Sequence, residues 1–200
     1  MEHRPVLELV STIRHDGDGG VADDLDTVEG AARWIGRQDP SGEVSADEEL
    51  RLRLVELRRS VRALFAEAVR PAPPSPADAH RLMPLDRALA HLNAEAAREP
   101  VAPRLEWPDG RAPSVRTLSA EPDPGVRLVA ALARDAIDFL GGPAREGLRA
   151  CTAPRCVRYF LKSHGRQEWC KPACGNRARV ARHYRRRGGD GDGETAPKTP

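Results

Sequence analysis

The chain's 200 residues suffice for one medium domain and a small module, and 40% hydrophobic but only 4% aromatic residues point to a helical core filled by Leu, Val and Ala. The net charge of +2 hides a division: residues 1–150 hold 20 Arg, no Lys and 26 acidic residues, residues 151–187 hold 11 Lys and Arg against Glu168 alone, and the stretch from Gly188 carries a net −2. All four cysteines lie in the basic segment, which argues against a disulfide framework; with no apolar leader and no span of about 20 apolar residues, the expected location is the cytoplasm, where thiols stay reduced.

Val6, Leu7, Leu9, Val10 and Ile13 form a short apolar stripe, helical or extended, running into a turn or mobile loop over 15–20. Thr27 to Gly30 opens a short helix with Ala31, Ala32, Trp34 and Ile35, stopped by Gly36 and residues 39–42. Residues 45–69 give the clearest helix. Ser45 and Glu48 have capping-box spacing, and Leu50, Leu54, Leu57, Val61, Leu64, Phe65 and Ala68 recur at the helical period, with Arg and Glu on the other face. The prolines from Pro71 to Pro76 end it. A further helix is expected over 77–98 on a stripe of Leu82, Leu85, Leu89 and Leu92, with Pro84 as an alternative start. Residues 104–118 read as a β-hairpin turning at Asp109-Gly110, with Leu105/Trp107 and Val115/Thr117 alternating. Asp123-Pro124 starts a last helix that buries Val126, Leu128, Val129, Leu132, Ile137 and Leu140 and ends at Gly141-Gly142-Pro143. Trp34 and Trp107 are expected in the core. The glycine-rich end of the chain is expected to be disordered.

The cysteines fall as Cys151-x4-Cys156 and Cys170-x3-Cys174. Two close pairs separated by a hairpin-sized loop provide the four thiolates that tetrahedral Zn²⁺ takes from two tight turns. The order is a ligand turn, a strand-like run over 157–161, a polar turn near Ser163-His164-Gly165, and a helix whose first turn carries Cys174. That order fits a treble-clef or ribbon-like module. About forty residues bury too little apolar area to fold alone, so one structural Zn²⁺ is expected to hold the module together, with Tyr159, Phe160 and Trp169 as a miniature core. His164 is expected to be exposed. A closed four-thiolate cage leaves no open position for catalysis, and neither a nucleophile elbow, a phosphate-cradling loop nor a His-x-x-x-His pattern appears; no enzyme activity is expected.

From Cys174 the sequence reads CGNRARVARHYRRR. On a helix, Arg179, Arg182, His183 and Arg186 share one face, while Arg177, Val180, Ala181 and Tyr184 share the face turned to the module or the body. Neighbouring cations without acidic partners destabilise an isolated helix, and phosphate is the natural compensation. Arg179, Arg182, Arg185 and Arg186 are therefore the candidate nucleic-acid contacts, extended by Lys162, Arg166 and Lys171. Asn176 and Arg177, just past a zinc ligand, are placed to cap the turn or to hydrogen-bond the thiolates.

The run Cys174-Gly175-Asn176-Arg177 resembles the CGNR-type zinc finger, which bacterial proteins usually carry behind a helical N-terminal domain called ABATE. The opening Leu7-Glu8-Leu9-Val10-Ser11-Thr12 and the segment from Asp26-Thr27 through Glu29 to Trp34 are similar to that domain. Ser11 stands where the family often has Asn. The resemblance implies a mainly α (α+β) protein: a multi-helical domain with a small β-hairpin over 1–142, a finger over 147–188, and a tail over 189–200. It also implies a transcription regulator that binds DNA through the finger, with the acidic body sensing an unspecified small-molecule effector or forming a homodimer, and with no membrane partner. The alternative is a zinc-dependent RNA- or protein-binding adaptor that uses the same basic face.

Overall fold

The computed structural model describes residues 4–16, 20–39, 41–78 and 81–189, the side chains of 186–189 excepted. The expected disordered tail thus lies almost wholly outside the described residues. Among these residues the chain is mainly helical, with six α-helices and three separate two-stranded antiparallel ribbons.

The apolar opening splits into helix α1 (Pro5–Val10) and strand β1 (Ile13–His15), which pairs with β2 (Val21–Asp23). The first N–H groups of α1 have no cap from their own segment; the Val6 N–H donates instead to Asp135 of a distant helix at 2.8 Å. Helix α2 (Val28–Gln38) starts at Thr27, whose hydroxyl accepts from the Gly30 N–H at 3.1 Å. Helix α3 (Glu48–Ala68) starts differently from the expected capping box. Asp47, not Ser45, is its cap, because the Asp47 carboxylate accepts from the Leu50 N–H at 2.8 Å and leaves Ser45 outside the first turn.

Helix α4 (Leu85–Ala97) begins just past Pro84, the alternative start, and the described residues before it, 77, 78 and 81–84, are not helical. The expected leucine stripe is also corrected. Leu92 is buried as expected, but Leu82, Leu85 and Leu89 are exposed, and α4 buries Ala88 and Glu95 in their place. Small Ala88 on the inner face suits a close approach to α3, and Glu95 is admitted because Arg53 of α3 donates to it at 2.8 Å. Strands β3 (Val101–Glu106) and β4 (Ser114–Ser119) form the expected hairpin, turning through Gly110 at φ 72°. It projects from the body, so Leu105, Trp107 and Val115 are exposed, and Trp107 is not the core residue expected of it. Helix α5 (Pro124–Gly141) is capped by Asp123, which accepts from the N–H groups of Gly125 and Val126.

The core lies where α1, α3, α4 and α5 meet, with Trp34 of α2 buried against it. Leu54, Leu57, Val61 and Phe65 of α3 face Val129, Ala133, Ala136 and Phe139 of α5, with the Phe65 and Phe139 rings 5.3 Å apart. The face of α3 read as polar is not wholly so: Arg58 and Arg62 are each only 2% exposed. Arg58 grips Asp23 with two parallel bonds of 2.5 and 2.6 Å and donates to Thr12 Oγ1 at 2.8 Å, tying α3 to the β1–β2 ribbon. Burial works against ionisation of Asp23, but the Arg58 hydrogen bonds and charge outweigh it and hold the carboxyl below its ordinary range.

Candidate metal centre and basic helix

A 3-10 turn over Pro143–Gly147 leads from α5 into strand β5 (Leu148–Ala150), which pairs with β6 (Tyr159–Leu161). The loop between them is the first ligand turn. Its Cys151 N–H donates to the Arg158 carbonyl at 2.9 Å, and its Cys156 N–H donates to Ala153 at 3.0 Å. Arg155 takes a left-handed φ of 62° to make the turn that tight. Cys170 precedes helix α6 (Pro172–Gly189), and Cys174 lies in its first turn, with its N–H bonded to the Lys171 carbonyl at 3.0 Å. A hairpin knuckle thus supplies two sulfurs and a helix start supplies the other two.

The four Sγ atoms lie within 4.8 Å of one another, with Cys156 to Cys170 at 3.7 Å and Cys170 to Cys174 at 3.5 Å. Sulfurs about 2.3 Å from a tetrahedral Zn²⁺ are separated by about 3.8 Å, so this set fits the ion. Crowding also polarises the thiols. Hydrogen bonds from Cys151 and then Cys170 pull Cys156 down to about 3, while bonds to Cys151 and Cys156 push Cys170 up. Arg177 Nη2 donates to the Cys174 sulfur at 3.2 Å and places a cation beside a cage whose four thiolates exceed the charge of one Zn²⁺. A bound Zn²⁺ would join knuckle to helix through these four sulfurs; three of the four cysteines are buried and no fifth ligand group joins the cluster among the described residues.

Phe160 packs with Cys151, Ala153, Cys156 and Cys174, and Trp169 lies against them. Tyr159 does not join this miniature core, contrary to expectation. Successive strand residues point to opposite faces, so with Phe160 turned to the sulfurs Tyr159 enters the main core, edge-on to Phe65 at 5.6 Å. There it meets Arg62, whose guanidinium lies 5.2 Å from the phenol centroid. Arg62 donates to Asp78 at 2.8 Å, the Val10 carbonyl at 2.8 Å, Ser75 Oγ at 3.0 Å and the Val157 carbonyl at 3.2 Å. Tyr159 donates in turn to the other Asp78 oxygen at 2.8 Å. Burial, with the Asp78 charge beside it, pushes the Tyr159 hydroxyl above its ordinary range and keeps it a donor. A single buried arginine therefore joins α1, α3, the loop after α3 and the finger.

Along α6 up to Arg185 the buried positions are Cys174, Gly175 and Ala178, and all residues from Arg182 to Arg185 are exposed. Val180 and Tyr184, expected to face the module or the body, are exposed as well, because the helix outruns the small finger it packs on. Lys162, Arg182 and Arg185 line one groove between α6 and the hairpin, together with Trp169 and Arg149. Arg149 is not among the expected contacts although it lies within the finger's expected bounds; its place in the strand leading into Cys151 is the signal that could have found it. Arg179 is exposed and donates to Asn176 Oδ1. Arg166 and Lys171 are exposed but lie outside that groove's lining, Lys162 also donates to the Gly165 carbonyl at 2.9 Å, and the Arg186 side chain lies outside the described residues. His164 is exposed.

Residues 148–187 match the model of the CGNR zinc finger, which defines the C-terminal module and its one structural Zn²⁺. Residues 3–143 match the ABATE model, described as "Putative stress-induced transcription regulator". The chain belongs to the ABATE family, with a CGNR finger behind the family domain. No curated protein matches it. No helix among the described residues is long and apolar enough to cross a membrane.

Proposed function

We propose that this transcription-regulator family member binds duplex DNA through α6, with zinc as the scaffold that fixes where the helix starts. The observation that carries the reading is the outer half of α6. Arg179, Arg182, His183 and Arg185 are exposed, the helix contains no acidic residue, and Lys162 and Arg149 sit across the adjoining groove. Such a row repels itself in water and is compensated by phosphates, whose condensed counterions it releases. Val180 and Tyr184, exposed among the arginines, give apolar surface for sugar or a thymine methyl. The acidic body opposes adventitious wrapping of nucleic acid and confines contact to the finger. The reading assigns no catalysis to the chain. Because one module of this size binds weakly, a second copy joined through the body is part of it.

A mobility-shift titration over a salt series tests this. Replacing Arg179, Arg182 and Arg185 by Ala is expected to weaken binding strongly and to lower the slope of log affinity against log salt by about one per lost phosphate contact. Unchanged affinity sinks the reading, and preference for structured RNA over duplex DNA selects the adaptor instead. Selection from a random duplex library would return a palindrome if two copies bind together.

A further inference from the structure

Between the β1–β2 ribbon and the loop joining α3 to α4 lies an open cleft of about 590 Å³, a size typical of small-molecule sites. Ile13 and Val21 form one apolar wall and Leu82 the other, and the buried Arg62–Asp78 pair also lines the cleft. The two acids that line it are each already paired with a buried arginine. Both Asp23 oxygens accept from Arg58, and the Asp78 oxygens accept from Arg62 and Tyr159. Two cations remain available. Arg59 shares only Glu56, across an exposed pair of 2.8 Å, and Arg81 has no ion pair with any described residue. The cleft thus offers guanidinium donors over apolar walls, with its acids neutralised from behind.

We propose that this cleft binds a small organic acid, its carboxylate on Arg59 and Arg81 and its apolar body against Ile13, Val21 and Leu82. The wall at Pro76, Ala77 and Asp78 belongs to the same loop whose Ser75 and Asp78 hold the finger: Ser75 Oγ donates to the Val157 carbonyl at 2.9 Å, and Asp78 accepts from Tyr159. An acid that binds better when this loop is drawn inward shifts the bonds that orient β6, and so reaches α6. This link to DNA rests on the function proposed above; occupation of the cleft does not.

The test is a ¹⁵N NMR titration of the zinc-loaded full chain with hexanoate, benzoate and indole-3-acetate, each against its amine counterpart hexylamine, benzylamine or tryptamine. At least one acid is expected to saturate, shifting the amides of Ile13, Val21 and Leu82 together with those of Val157 and Tyr159, while its amine does not bind. The double variant Arg59→Gln/Arg81→Gln is expected to lower the acid's affinity about tenfold or more. The proposal is overturned if no acid saturates, if acid and amine bind alike, or if the double variant binds unchanged. Saturation with shifts confined to the cleft overturns the coupling to the finger. Acid binding in a chain that fails to bind duplex DNA upholds the cleft and sinks the DNA reading alone.

Discussion

The Trp169 ring packs where a Cβ on residue 175 would come within 3.1 Å of it, and the Arg182 guanidinium lies 5.9 Å from its centroid. Glycine at 175 is thus a matter of space: a side chain there would require the indole packed on the first turn of α6 to give way by a few tenths of an ångström. Its neighbours divide the remaining work, Cys174 as ligand, Asn176 as acceptor for Arg179, and Arg177 as donor to the Cys174 sulfur. Removing the Arg177 donor by Arg177→Ala is expected to leave the fold intact but to weaken zinc retention about tenfold, read by competition with a chromophoric chelator. The ligands were legible because cysteine spacing is set by the ion itself. The place of Tyr159 was not, since two adjacent aromatics read as one apolar patch until the strand's alternation assigns them to opposite sides. Nor was Arg62: in α3 it looks like any other arginine, and the partners that let it be buried come from segments 13 to 95 residues away.

At the scale of elements, the helix starts depend on single acceptors. Asp47→Ala is expected to destabilise the protein by about 1 kcal/mol, measured by urea unfolding, whereas Ser45→Ala should change it little. The β1–β2 ribbon depends on Asp23. Because Arg58 holds the Asp23 carboxyl below its ordinary value of 3.8, the pair's stabilisation is complete above that value and is lost as pH falls through the lowered one. Asp23→Asn should therefore cost on the order of 2 kcal/mol at neutral pH, with the gap to the unaltered protein closing below about pH 4 in a pH series of thermal melts. Helices α2, α3 and α5 and the β3–β4 hairpin could be read from period and turn residues. The face of α4 could not, because a leucine stripe ranks above Ala88 and Glu95 on hydrophobicity, while the actual face is chosen by closeness to α3 and by the waiting Arg53.

Across the whole molecule, the finger's hairpin has two allegiances. Leu148 and Tyr159 belong to the main core, whereas Phe160 and the cysteines form their own cluster around the metal. Chelation of zinc is therefore expected to act unevenly. In hydrogen exchange, amides over 151–156 and along α6 should lose protection, while those of β5 and β6 keep part of theirs; uniform loss across 148–185 would contradict the shared core. Thermal stability of the body should fall as well, since the core loses the rigidity of its attached strands.

The phenol of Tyr159 also limits how this finger can be exchanged. A chimera that moved residues 148–187 onto a different helical body would carry a buried phenol with no Asp78 to accept its hydrogen bond and no Phe65 to meet its edge. The abandoned body would be left with a vacant slot and a buried Arg62 short of an acceptor. The finger is thus not a detachable cassette, and any shuffling that keeps its fold must bring the matching surface of the body along with it.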